Sequence, residues 1–239
     1  MWSDLAPGTS PPALAGFNEP LTGAAGYTLP ATQHDAVVCL AGAAYDVVFD
    51  VSRDVMAELA PVATLAHELV GWPYRRDLTG FEDGTENPTL LEATSAVVIE
   101  PGLPGAGGSV LLLQQWEHDA GAWEALSVDD QERAMGRRKV SGDELDPRRA
   151  TSHVARTDQD QFGRIFRRNI GYGTLTRHGT IFVGFSRDRD RLDAMLASMI
   201  GRSAGRPDRL TAYTRAVTGG YYFVPSSEAL AAMAVPAQE

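Results

Sequence analysis

The chain has 239 residues, enough for one sizeable domain or two small ones, with an apolar fraction of 44% and a charged fraction of 22% that suit a packed, soluble fold. A formal net charge of -10 argues against nucleic acid or an anionic membrane as partner, because either needs a basic face. Cys39 is the single cysteine, which excludes an intrachain disulfide and a cysteine-based zinc or iron–sulfur centre; its apolar neighbours Val37, Val38 and Leu40 predict a small buried residue.

Residues 1–34 are rich in Pro, Gly, Ala and Thr without a sustained period and read as irregular. Asp35 to Ala41 reads as a buried strand, and Val47, Val48, Val51, Val55 and Leu59 recur at helical spacing. A strand-like piece from His67 to Val70 leads into Gly80-Phe81-Glu82-Asp83-Gly84-Thr85-Glu86-Asn87-Pro88. Glycine and proline punctuate that segment, and its Asp, Thr and Asn side chains bond to nearby backbone, so it is a rigid loop presenting an acid, Asp83. Val110 to Trp116 predicts a strand, and Ser127 with Asp130 caps a helix running towards Arg138. Residues 141–157 read as loop, Gly163 to Ile170 and Thr180 to Phe185 as strands, and 188–201 as a helix with Leu192, Met195, Leu196, Met199 and Ile200 on one face. A short helix carrying Leu210, Tyr213 and Val217 and a strand from Tyr221 to Val224 follow, before an alanine-rich tail that reads as frayed. Short turns between strands favour an antiparallel α+β architecture over a parallel one.

Three elements stand out as candidates for chemistry; the plainer alternatives are a turn whose acids are solvated and a loop histidine that serves only as a surface or hydrogen-bonding residue. Asp83 is a carboxylate on a rigid loop and a candidate proton handler. His153 lies in Thr151-Ser152-His153-Val154-Ala155-Arg156-Thr157. Arg167 and Asn169 share one face of a strand by alternation, with Arg168 on the other, so a guanidinium and an amide can reach one cavity together. His34, His67, His118 and His178 form no HxxxH or HExxH pair, and His118, just past a strand, reads as a surface residue. A lone histidine without a second protein ligand suits haem held by one axial imidazole.

Gly80 to Pro88, Ser152 to Thr157, Arg167 to Asn169 and Ala216-Val217-Thr218-Gly219 occur in the order and approximate spacing of the dye-decolourising peroxidases. Gln115-Trp116-Glu117-His118-Asp119 and Gly136-Arg137-Arg138-Lys139 extend the resemblance over nearly the whole chain. The resemblance implies two ferredoxin-like domains with antiparallel sheets, of the dimeric ferredoxin-like β-barrel kind. The expected division is 1–90, ending in the loop, and 91–239, which binds haem. It further implies one haem b per chain with His153 as axial iron ligand, Asp83, Arg167 and Asn169 as catalytic residues on the distal face, Arg167 also among the haem-binding residues, and Arg137 near a haem propionate. The alternative for Arg137 is a solvated charge at a helix end. The implied activity reduces hydrogen peroxide and oxidises one-electron donors such as dyes, phenolics or porphyrinogens through a ferryl intermediate.

In that family Asp83 would move the proton between peroxide oxygens, and Arg167, which keeps its charge, would stabilise the departing oxygen. Asn169 would orient water or peroxide. His153 needs an acceptor for its second ring nitrogen, and relatives often carry an acid near the position of Ala212, whereas Asp208 is the nearest acid here. Trp116, Trp123 and Tyr221 are candidate electron relays, with core packing as the commoner role. Against the family pattern, a strand–helix–strand stretch has no counterpart before Trp2, so the first sheet is expected to be incomplete. The alternative reading is therefore a truncated, non-catalytic haem-binding or assembly protein. No run of about 18 apolar residues and no basic, then apolar, N-terminal leader occurs, so a cytoplasmic protein is expected, acting on peroxide and a small reductant as a homo-oligomer.

Overall fold

A computed structural model describes residues 6, 9, 11, 14–203 and 205–234. The last five residues of the alanine-rich tail lie outside the described residues; the tail before them is a helix, Ser227–Ala234. The chain divides into two compact units, His34–Val70 and the remainder.

The larger unit begins with two short strands, β1 (Leu21–Thr22) and β2 (Thr28–Leu29), within otherwise irregular chain. The smaller unit is built on α1 (Tyr45–Leu59). The larger then resumes with β3 (Gly71–Pro73), α2 (Leu90–Val97), β4 (Ser109–His118), α3 (Ala120–Glu124) and α4 (Val128–Met135). Two four-residue helices follow, α5 (His153–Arg156) and α6 (Gln159–Phe162), then β5 (Phe166–Gly173), β6 (His178–Ser186) and α7 (Arg189–Met199). β7 (Thr214–Ala216), β8 (Gly220–Val224) and α8 (Ser227–Ala234) close the chain. The main sheet is antiparallel in the order β3-β5-β6-β4-β7, with β8 also pairing β4.

β4 is the middle of this sheet because its sequence, Ser-Val-Leu-Leu-Leu-Gln-Gln-Trp-Glu-His, is nearly all buried. Its even-numbered side chains Val110, Leu112 and Trp116 meet Leu192, Leu196 and Ile200 in the principal core. Leu192 and Leu196 lie four residues apart on α7 with Met195 three after Leu192, Ile200 follows at the helix end, and Asp188 caps the helix by accepting from Asp190 N at 2.9 Å. Each such leucine contributes about 2–3 kcal/mol by leaving water. β6 crosses β4 so closely at Gly179 that a Cβ there would stand 1.7 Å from the Trp116 carbonyl oxygen. Only glycine fits that pairing. Trp116, Trp123 and Tyr221 are all buried, at 6%, 4% and 3% exposure, as core packing requires.

Several expectations are corrected. Asp35 to Ala41 is not a strand, and β3 starts at Gly71 rather than at His67. In the His34–Val70 unit no residue is buried, and residues 35–43 and 64–70 make no backbone hydrogen bond. An apolar run becomes a strand only where another strand accepts its ladder, and none does so here. Cys39 is accordingly exposed, not buried. Leu210 to Val217 is not a helix: a 3-10 turn, Arg209–Ala212, gives way to β7. The helix capped by Ser127 stops at Met135, where Gly136 takes φ 94°, a left-handed end that favours glycine. Among the described residues, no helix is long and apolar enough to cross a membrane.

Candidate active site

One cavity of about 140 Å³ is lined by Asp83, Arg137, His153, Arg167 and Asn169. The structure thus brings together all five residues singled out in the sequence. His153 opens α5, whose first turn is capped by Ser152 accepting from Ala155 N at 3.4 Å. Thr157 closes the turn, donating from both N and Oγ1 to the His153 carbonyl oxygen at 3.0 and 2.9 Å. Such a helix is too short for sequence periodicity to reveal, which is why residues 141–157 read as loop.

Asp208 is the acceptor that His153 needs. His153 Nδ1 and Asp208 Oδ2 are 2.6 Å apart, and Asp208 is fully buried. Its other oxygen, Oδ1, accepts from Leu210 N at 2.8 Å, so the carboxylate is fixed at the start of the 3-10 turn. This contact spans 55 residues and no motif advertises it. It orients the ring, and His153 Nε2, which makes no hydrogen bond, is left for a ligand in the cavity.

The second cluster depends on the edge of β5. β3 pairs only with Ile170 to Tyr172, so the outward backbone groups of Arg167 and Asn169 have no strand beside them. The loop from Gly80 to Pro88 caps them with side chains instead. Asn87 Nδ2 donates to the Arg167 carbonyl oxygen at 2.8 Å, and Asn87 Oδ1 accepts from Arg167 N at 2.9 Å. Asp83 Oδ2 accepts from Asn169 N and Asp83 Oδ1 from Asn169 Nδ2, both at 2.9 Å. Asn169 is therefore the clamp on Asp83 as well as a lining residue. Arg168 points away and is exposed, as alternation predicts.

Arg137 is not a solvated charge. Its side chain is 12% exposed; it donates from Nη1 to the Gly142 carbonyl oxygen and from Nη2 to Glu86 and Glu144. Glu86 also stands 3.9 Å from Arg167 Nη2, so one carboxylate lies between the two arginines. Asp77, overlooked in the sequence, lines the same cavity; burial pushes its carboxyl above the usual range, against hydrogen bonds from Thr79.

His118 is corrected from a surface residue to a partly buried one on the cavity wall, 3.3 Å from Thr180 Oγ1. Burial, aided by His178, lowers its pKa from 6.5 to about 4. The folded form resists protonation, so the stability linked to this residue is complete above pH 6.5 and lost as pH falls towards 4. In the haem-free chain the loss amounts to about 2–3 kcal/mol. Urea unfolding of His118→Gln should show a correspondingly flatter decline between those pH values.

The residues fit a haem. The cavity joins a carboxylate-backed histidine with a free Nε2, an apolar wall including Leu192, Met195 and Met199, and a polar cluster of Asp83, Arg167 and Asn169. Gln114, 1% exposed on that lining, has an Nε2 without a hydrogen-bond partner, an unmet demand that faces a ligand site. Among the described residues no group of three or more His, Cys, Asp or Glu could hold a bare metal ion, so a lone imidazole calls for iron already held by a porphyrin.

An antiparallel α+β fold with this cavity defines a class of protein suited to holding haem through one histidine. The family description Dyp-type peroxidase, C-terminal, matches residues 74–229. The dye-decolorizing peroxidase of Mycobacterium tuberculosis (strain ATCC 25618 / H37Rv) is 37% identical over 241 residues, covering 96% of this chain and 71% of the relative. The solved structure of DyPB from Rhodococcus jostii RHA1 superposes with a TM-score of 0.87 at 35% identity, over 96% of this chain and 77% of that one. A variant of that protein, solved in complex with haem, matches with the same TM-score at 34% identity. This chain belongs to the Dyp-type, or dye-decolourising, peroxidases. It is a haem-dependent peroxidase that uses peroxide and a reducing substrate.

Proposed function

We propose that His153 would hold the haem iron through Nε2 and that Asp83, Arg167 and Asn169 would handle peroxide in the same cavity. The arrangement of Asp208 behind His153 on the same cavity as the Asp83–Asn169–Arg167 cluster carries this reading. When bound, haem supplies the iron that exchanges electrons with peroxide and with the donor. The protein's part is binding, orientation and proton handling. Asp208 accepts the Nδ1 proton of His153 and so keeps Nε2 free for the metal. Arg137, held at 12% exposure on the cavity lining, is the cation that meets a haem carboxylate.

Asp83 receives a proton from the bound peroxide on a carboxylate oxygen and returns it to the departing oxygen. Asn169 donates to Asp83 from both its backbone and its side chain, which fixes where that proton is taken up. The Arg167 guanidinium stabilises the negative charge on the oxygen that leaves. Residues 1–90 then supply the loop with Asp83, and 91–239 the remaining groups. A non-catalytic haem carrier would have no use for the Asp83–Asn169–Arg167 set, and that alternative is not favoured. Titration with haemin should saturate at one per chain and yield peroxide-dependent oxidation of a phenolic donor. Saturable binding without such turnover would reduce the reading to a carrier.

A further inference from the structure

We propose that Asn87 is a positioning residue that sets where Arg167 stands in the cavity, an inference that rests on the role given to Arg167 above. An edge strand without a neighbour can fray or shift along its length, because nothing fixes its outward N–H and C=O groups. β5 is in that condition from Phe166 to Asn169, since β3 reaches only Ile170. Asn87 supplies what a neighbouring peptide would. Its amide donates at 2.8 Å and accepts at 2.9 Å on the two polar groups of one residue, Arg167, across 80 positions of sequence. Among side chains, only Asn and Gln carry a peptide-like donor and acceptor in this spacing.

Asn87 is itself held firmly. Its N–H donates to the Gly84 carbonyl oxygen at 3.0 Å, and Pro88 after it restricts its backbone to extended conformations. The preceding Glu86 carbonyl accepts from Gln159 Nε2 at 3.1 Å, and Gln159 Oε1 accepts from Ile165 N at 3.0 Å. Gln159 is 6% exposed, so this second tie between loop and strand is buried. The loop that bears Asp83 thereby also fixes the Cα of Arg167, and the two reacting side chains keep a constant relation. A displacement of about 1 Å at a reacting group can cost roughly 100-fold in rate.

The test is a double-mutant cycle on the haem-loaded 239-residue chain: wild type, Asn87→Ala, Arg167→Leu and the double variant. The stopped-flow rate with hydrogen peroxide, the cyanide dissociation constant and the haem-to-chain ratio are read for each. Asn87→Ala should keep one haem per chain, slow the peroxide reaction roughly 10- to 100-fold and weaken cyanide binding. On the Arg167→Leu background the same substitution should change either quantity by no more than about twofold. Equal slowing on both backgrounds would overturn the proposal. A wild-type rate in Arg167→Leu alone sinks the role of Arg167 itself, which separates the two failures. Hydrogen exchange at the Arg167 amide of the haem-free chain should accelerate in Asn87→Ala, and unchanged protection counts against the positioning role. If Asn87→Ala does not fold, Asn87→Asp serves: its protonated acid can donate to the Arg167 carbonyl and its carboxylate repels it. The deficit of that variant should shrink as pH falls, and a ratio to wild type that is independent of pH overturns the idea.

Discussion

His153→Ala should leave a chain that no longer retains one haem after gel filtration, with its Soret absorbance reduced to that of loosely associated porphyrin. The imidazole is the one cavity-lining histidine backed by a buried carboxylate, and Asp208 then loses its partner. His118 lines the same cavity, but its Nε2 faces Thr180 and no carboxylate supports its ring. It is therefore a poor substitute. Free imidazole added to His153→Ala fills the space left by the side chain and should restore the band. A variant that keeps stoichiometric haem with an unshifted spectrum, without added imidazole, would show that the ligand lies elsewhere.

Arg167→Leu should slow the reaction with peroxide by roughly 100- to 1,000-fold, the range seen when a preorganised donor to a developing oxyanion is removed. Leucine keeps much of the volume of the side-chain stem, and Asn87 still holds the backbone of this position, so haem content should be unchanged. The loss belongs to the charge. Glu86 and Arg137 complicate the simplest picture, because the same carboxylate stands beside both guanidiniums. Removing Arg167 leaves Glu86 paired with Arg137, so no uncompensated carboxylate is created. Single-turnover mixing with excess peroxide separates this effect from donor oxidation; an undiminished first phase would remove Arg167 from the chemistry.

Much of the site was legible in the sequence, for reasons that can be named. Asp83, His153, Arg167 and Asn169 stand within the segments that carry the family resemblance, and alternation along β5 put Arg167 and Asn169 on one face, where both line the cavity. Asp208 was visible only as a nearby acid, because a single carboxylate 55 residues from its partner leaves no local trace. His118 could have been found. It continues the even-numbered series of Gln114 and Trp116 to the end of β4, and parity alone puts it on the inner face. The strand expected from Asp35 to Ala41 failed for a different reason: β-propensity states a readiness to pair, and the described residues provide no ladder there. α5 was missed because four residues hold barely one helical turn.

The cap on the edge of β5 also bears on where this enzyme can change over time. Asp83 lines the cavity and holds the strand, and Asn87 holds the backbone of the cavity-lining Arg167, so a substitution at either disturbs the sheet beside the site. Heritable variation there has little room. Leu192, Met195 and Met199 also serve twice, lining the cavity and packing in the principal core, but volume-conserving swaps among aliphatic and thioether side chains are tolerated better than changes to the cap.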